Sequence, residues 1–145
     1  MCFSGHTCHM EVVKALKALS AIPPDECSVA VKGTIEDGVE YMLIHHIHKR
    51  SHDLSKLSKP GWRHFGFPLM YQTDIMEILD ILAALGYRDE RMQEAVDLVV
   101  SKQDEDGRWR MQNTFNGKVL VNIEVKNEPS KWVTLRALRV LKRLS

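Results

Sequence analysis

Cys8 and His9 are neighbours near the start of the chain, and Tyr71, Gln72 and Asp74 cluster much further along. A thiol or a phenol beside an imidazole and a carboxylate can carry acid–base or nucleophilic chemistry. Cys8 or Tyr71, activated by His9 and Asp74, would suit hydrolysis or a lyase reaction. The same residues offer a second use, because Cys8, His9, His52, Asp53 and Asp74 are all suitable zinc ligands. Their spacing matches no zinc pattern, and adjacent residues such as Cys8 and His9 seldom ligate one ion. Zinc is therefore an option and no cofactor is required. The run His45, His46, His48 reads more simply as the polar end of a helix, and Asp104-Glu105-Asp106 as a solvated turn.

Chemistry at such scattered positions needs elements that bring them together. Apolar residues recur at helical spacing over 9–21, 28–48, 73–85, 89–102 and 131–144, so five helices are expected. Pro23-Pro24 ends the first, Gly86 the third, and Thr73 or Asp74 caps the start of that third helix. Residues 51–70 hold two prolines, two glycines and the aromatics Trp62, Phe65 and Phe67, which reads as one long connector. Asn116-Gly117 followed by alternating Val119, Val121, Ile123 and Val125 predicts a small β-hairpin near 111–125. The fold class is thus all-α with that one hairpin, as a single domain over 1–145.

Composition narrows the function classes. The chain of 145 residues is 44% hydrophobic and 27% charged, enough for one core. A net charge of +1 gives no pull toward nucleic acid or anionic membrane. The Arg and Lys side of the last helix reads as a solvated face. No apolar run approaches the roughly 20 residues that span a bilayer, so no membrane span is expected. The first ten residues lack a charged n-region and a long apolar core, so no signal peptide is expected. Three cysteines at irregular spacing argue against a disulfide framework and for a reducing, cytoplasmic setting.

The most specific stretch is Ala95-x-x-Leu98-Val99-x-x-x-Gln103-x-x-x-Gly107-x-Trp109. Leu98 and Val99 fall on a buried face and Gln103 at the helix end, where its amide can satisfy orphan carbonyls. Gly107 permits the turn, and the Trp109 indole folds back against the helix. The helices also repeat. Leu16, Leu19 and Ile22 align with Leu79, Leu82 and Leu85 at an offset of 63. Gly38, Tyr41, Met42 and His46 align with Ala95, Leu98, Val99 and Gln103 at an offset of 57. Leu138, Leu141 and Leu144 align with the leucines of the third helix at an offset of 59. The order is inner, outer, inner, outer, inner, in units of about 9–48, 71–109 and 131–144.

This pattern resembles the QW repeat of squalene–hopene cyclases and the related repeats of protein prenyltransferases. The resemblance extends from about residue 9 to 144 and is similar to the C-terminal part of prokaryotic proteins with this repeat. It implies a partial α/α toroid of antiparallel helical hairpins, inner helices lining a cavity. The family's Asp-rich cyclase and diphosphate motifs and its zinc set have no counterpart here, so cyclisation and prenyl transfer are not implied. A half-ring would leave an apolar edge open, which implies a homodimer that completes the ring. The repeat also sets three inner-helix starts around one mouth. His6, Cys8 and His9 stand at the first, Tyr71, Gln72 and Asp74 at the second, and Lys131, Trp132 and Thr134 at the third, with Trp62 on the rim. The expected function is a small-molecule-binding toroid domain with a polar, aromatic-rimmed cavity. The alternatives are a metal- or His/Cys-dependent hydrolase in that cavity, and a helical-repeat protein-interaction module.

Overall fold

The computed structural model describes residues 8–145. Five α-helices dominate: α1 (His9–Leu19), α2 (Val29–Ile44), α3 (Ile75–Ala84), α4 (Gln93–Ser101) and α5 (Lys131–Leu144). Side chains fix several of their starts. Ser28 Oγ accepts from Val31 N–H at 3.2 Å, Asp74 Oδ1 from Glu77 N–H at 2.9 Å, and Ser130 Oγ from Val133 N–H at 3.0 Å. Short 3₁₀ turns at Pro60–Arg63 and Glu90–Met92 precede α3 and α4.

Helix α3 is the centre of the molecule. Its residues 75–79 and 81–83 are all buried, which a helix achieves only when covered on every side. α1 and α5 pack against it on two flanks, α4 also contacts it, and α2 pairs with α1. Gly38 permits the α1–α2 approach, since a Cβ there would lie 2.8 Å from Leu16 Cδ2. At the offset of 57, two of the four aligned pairs agree in burial, while Gly38 and Ala95, and His46 and Gln103, differ. Met42 and Val99 are both fully buried, and Tyr41 and Leu98 are both half-buried against the core. The last helix departs from the repeat: Leu16 and Leu79 are buried, but Leu138 is 49% exposed. α5 buries one face, carrying Val133, Ala137 and Val140, because none of the described helices covers its far side.

Trp109 closes the end of α4. Its indole Nε1–H donates to the Val99 carbonyl at 2.7 Å, and its backbone N–H donates to Thr134 Oγ1 at 3.0 Å. The side chain expected to cap α4, Gln103, is instead exposed and lies beside Gly107, whose φ of +76° makes the turn. The indole therefore does what the amide was expected to do, and ties α4 to α5 as well.

Three local features differ from the pattern expected from the residues. α2 stops at Ile44, and His46 and Ile47 turn the chain with φ of +41° and +70°. Between the expected helix end and the expected connector, β1 (Lys49–Arg50) forms an antiparallel pair with β2 (Asp53–Leu57), which lies inside the connector. The pairing near 111–125 lies at the base of that segment: β3 (Trp109–Arg110) pairs with β4 (Pro129–Ser130), Trp109 facing Ser130. Between them the Asn116 side chain bridges the loop, donating to the Glu124 carbonyl and accepting from Ile123 N–H at 3.3 Å. Leu120, Val121 and Val125 stay exposed, since alternation buries a face only where a second layer exists.

Trp109→Phe keeps most of the volume but leaves the Val99 carbonyl without its indole donor. Urea unfolding is expected to show a loss of about 1–3 kcal/mol, against about 3–5 kcal/mol for Trp109→Ala. A Trp109→Phe protein as stable as the wild type would mean that the hydrogen bond contributes nothing.

Candidate functional site

The residues singled out by their chemistry fall into three separate places. Cys8, Trp62 and Gln72 line one cleft of about 370 Å³, with Met10, Lys59 and Asn113. The α1 start, the Pro60–Arg63 turn and the segment before α3 form its walls. Cys8 is disulfide-bonded, contrary to the expected absence of disulfides. A sulfur held in a disulfide is neither the nucleophile nor the zinc ligand considered for it. The odd cysteine count hid this pairing, and Cys27 is a free cysteine.

His9 lies directly behind the cleft and is only 8% exposed. Its ring meets Trp62 edge-on at 4.6 Å and lies 4.8 Å from the His45 ring and 5.5 Å from Tyr41. Nδ1 is 3.3 Å from Ser58 Oγ, whose own hydrogen goes to the Lys49 carbonyl at 2.8 Å. Nδ1 can then donate to Ser58 Oγ, and among the described residues Nε2 is buried without a side-chain or backbone partner at hydrogen-bond geometry. Burial, then the neighbouring His45, lower its pKa from 6.5 to about 3, and the Ile47 carbonyl offsets only part of this. Such an imidazole stays neutral near pH 7 and is a poor general base. Burial also lowers the pKa of His48.

Asp74 faces away from the cleft. Its carboxylate caps α3 and receives Arg136 at both oxygens, 2.7 Å and 2.9 Å. Arg136 also donates to the Gly66 carbonyl at 2.6 Å. Asp74 is thus committed to holding three segments rather than turned toward His9 or Cys8. Tyr71 is 70% exposed and meets Phe115 edge-on at 6.0 Å. Trp132 stacks on Phe67 at 4.8 Å, Lys131 Nζ lies over the Trp132 ring, and Thr134 serves Trp109. The third inner-helix start therefore forms an aromatic edge outside the cleft lining. His52 is exposed in the β1–β2 turn, and Asp53 binds Ser55 and Lys56. His6 lies outside the described residues. Among the described residues no group of three or more His, Cys, Asp or Glu is placed to hold a metal ion. None of the helices described is long and apolar enough to cross a membrane.

Glu77 and Asp80 were not singled out from the residues. Glu77, 6% exposed, takes Lys14 at 2.7 Å and Lys17 at 2.6 Å. Burial pushes its carboxyl up, but the two lysines outweigh this and its pKa falls. Asp80 takes Arg139 and Arg143, each at 2.6 Å. The available signal was a carboxylate every third residue, Asp74, Glu77, Asp80, within an otherwise apolar helix. Compared with family models, curated proteins and solved structures, the chain finds no match.

The pH behaviour of His9 follows from its lowered pKa. The unfolded chain takes up a proton below about pH 6.5 and the fold resists it, so stability is present above that pH and is lost as pH falls. Between about pH 6.5 and pH 5 the unfolding free energy should fall by roughly 1.4 kcal/mol per pH unit from His9 alone. His48 adds to the slope in the same sense, whereas the lowered carboxyls of Glu77 and Asp89 matter only further into acid. His9→Phe should flatten the slope of urea-derived stability over this window, and an unchanged slope would refute the assignment.

Proposed function

We propose that this chain is a small-molecule-binding helical domain of the α/α-toroid type, with its ligand in the cleft between α1, the Pro60–Arg63 turn and Gln72. The cleft itself carries the reading. Its lining pairs an apolar wall of Met10, Pro60 and Trp62 with the polar ends of Lys59, Gln72 and Asn113. A pocket that is largely apolar with a few converging polar groups suits an amphiphilic ligand, here one with an aromatic or aliphatic body and an anionic end for Lys59. Binding is favoured over turnover, because Cys8 is disulfide-bonded and His9 is a weak base.

Ligand-observed NMR with small aromatic carboxylates tests this on the full chain. Binding is expected, with Lys59→Ala weakening it about tenfold, the value of one charge-assisted hydrogen bond. Saturation transfer unaffected by both Lys59→Ala and Asn113→Ala would place the ligand elsewhere and remove the proposal's support.

The partner belonging to this reading is a second copy of the chain. Two exposed apolar faces support it, one on α5 and one on the α1–α2 pair. α5 exposes Leu135 (57%) and Leu138 (49%). The α1–α2 pair presents an apolar groove of about 340 Å³ lined by Val12, Ala15, Leu19 and Asp37. Their charges are complementary. α5 carries five basic residues and no acidic one, while α2 carries Glu36, Asp37 and Glu40 against Lys32. Light scattering should show a dimer that Leu135→Glu dissociates, and a wild-type monomer at micromolar concentration would rule the arrangement out.

A further inference from the structure

A second hollow, of about 210 Å³, lies between α1, α3 and α5, and is separate from the ligand cleft. Met76, Ile81 and Val140 make its apolar floor, and Lys17, Arg139 and Arg143 reach over it. Around it the three helices bring together Lys14, Lys17, Arg136, Arg139 and Arg143, five cations, against Asp74, Glu77 and Asp80, three carboxylates. Five minus three leaves +2 at this one place, although the whole chain carries only +1.

The excess sits in identifiable groups. Arg136 and Asp74 neutralise each other inside the protein. Each of the other two carboxylates is shared by two cations. Asp80 accepts from Arg139 Nε at 3.2 Å, Arg139 Nη2 at 2.6 Å and Arg143 Nη1 at 2.6 Å. Its two oxygens are then well supplied. Among the described residues, Arg139 Nη1 and Arg143 Nη2 are left without an acceptor, and Lys17 has donors to spare beyond Glu77. The Arg139 and Arg143 side chains are 50% and 43% exposed, so their pairing with Asp80 is weak and easily traded for a stronger acceptor.

We propose that this hollow binds a phosphomonoester with a short apolar body, its phosphate held by Arg139, Arg143 and Lys17 and its body on the Met76–Ile81–Val140 floor. A dianion matches the local excess of two, and the guanidinium fork suits phosphate oxygens in a way a point charge does not. Asp80 is the built-in competitor. It holds the two arginines in place when the hollow is empty and opposes the ligand through like charge.

Calorimetric titration of the full chain with phenyl phosphate, and with benzoate for comparison, tests the assignment. Saturable 1:1 binding of phenyl phosphate is expected, at least about tenfold tighter than benzoate at this site and weakened by added salt. Arg143→Gln, at the end of α5, should weaken it about tenfold. Asp80→Asn should tighten it about threefold, since a competing charge is removed, whereas a purely structural Asp80 would only lower stability. Lys59→Ala, in the other cleft, should leave it unchanged. Non-saturable binding, or an affinity indifferent to Arg143→Gln, would overturn the proposal. So would weakened binding in an Asp80→Asn protein of unchanged helical circular dichroism. If Asp80→Asn does not fold, Arg143→Gln decides alone.

Discussion

The buried pair between Asp74 and Arg136 is the junction on which the arrangement of helices turns. One carboxylate, 1% exposed, caps α3 and grips α5 through a two-point guanidinium contact. The same guanidinium holds the Gly66 carbonyl, and so fixes the chain that leads into α3. Two charges removed from water are costly unless most of their lone pairs and protons find partners. Here both carboxylate oxygens and two guanidinium nitrogens are engaged, so the desolvation is offset by geometry. Neither partner can be removed alone, because the survivor would be a buried charge without compensation. This is also why Asp74, attractive as a catalytic carboxylate in the bare sequence, is better understood as a structural one.

Around that junction the apolar core follows a pattern that the residues announce. Helical spacing places five helices correctly, and the offset of 57 between Met42 and Val99 reappears as a pair of fully buried positions. The match has a packing reason: α2 packs on α1 and α4 on α3, so each presses one apolar stripe against a neighbouring helix. It fails at α5 for the same reason inverted. Leu138 matches Leu79 in spacing, but α3 is covered all round and α5 on one side only, so identical residues meet water in one case and core in the other. Spacing reports which face a residue occupies, not whether a neighbour has arrived to cover it.

The candidate site was less readable, and the misses share a cause. The mouth expected at the three inner-helix starts needed their side chains to turn inward together. Backbone chemistry diverted them: Thr134 is claimed by Trp109 N–H, and Trp132 by the face of Phe67. Such local partners lie 25 and 65 residues away in sequence and leave no periodic trace. What survives of the cluster, Cys8, Trp62 and Gln72, comes together at the α1 start, the Pro60–Arg63 turn and the segment before α3. That turn lies in a stretch whose prolines and glycines read only as a connector. The connector is nonetheless packed, with Trp62 and Phe65 buried in the core.

Apolar faces alone would not settle which helix stands beside which, because a leucine stripe accepts any other leucine stripe. The acids of α3 supply the missing instruction. Asp74 stands at the N-cap of α3, and Glu77 and Asp80 follow at intervals of three residues, so the helix presents a carboxylate at successive levels. Asp74 and Asp80 form their ion pairs with arginines of α5, and Glu77 with lysines of α1. Exchanging α1 for α5 would set flexible lysines where a planar two-point contact is required at Asp74, and a bulky guanidinium at Glu77. Charge placement therefore selects the order α1–α3–α5 against alternatives that bury the same apolar area. The same economy creates the surplus over the second hollow: each specifying carboxylate except Asp74 needs cations from two successive turns, so placing the helices correctly leaves positive charge beside them.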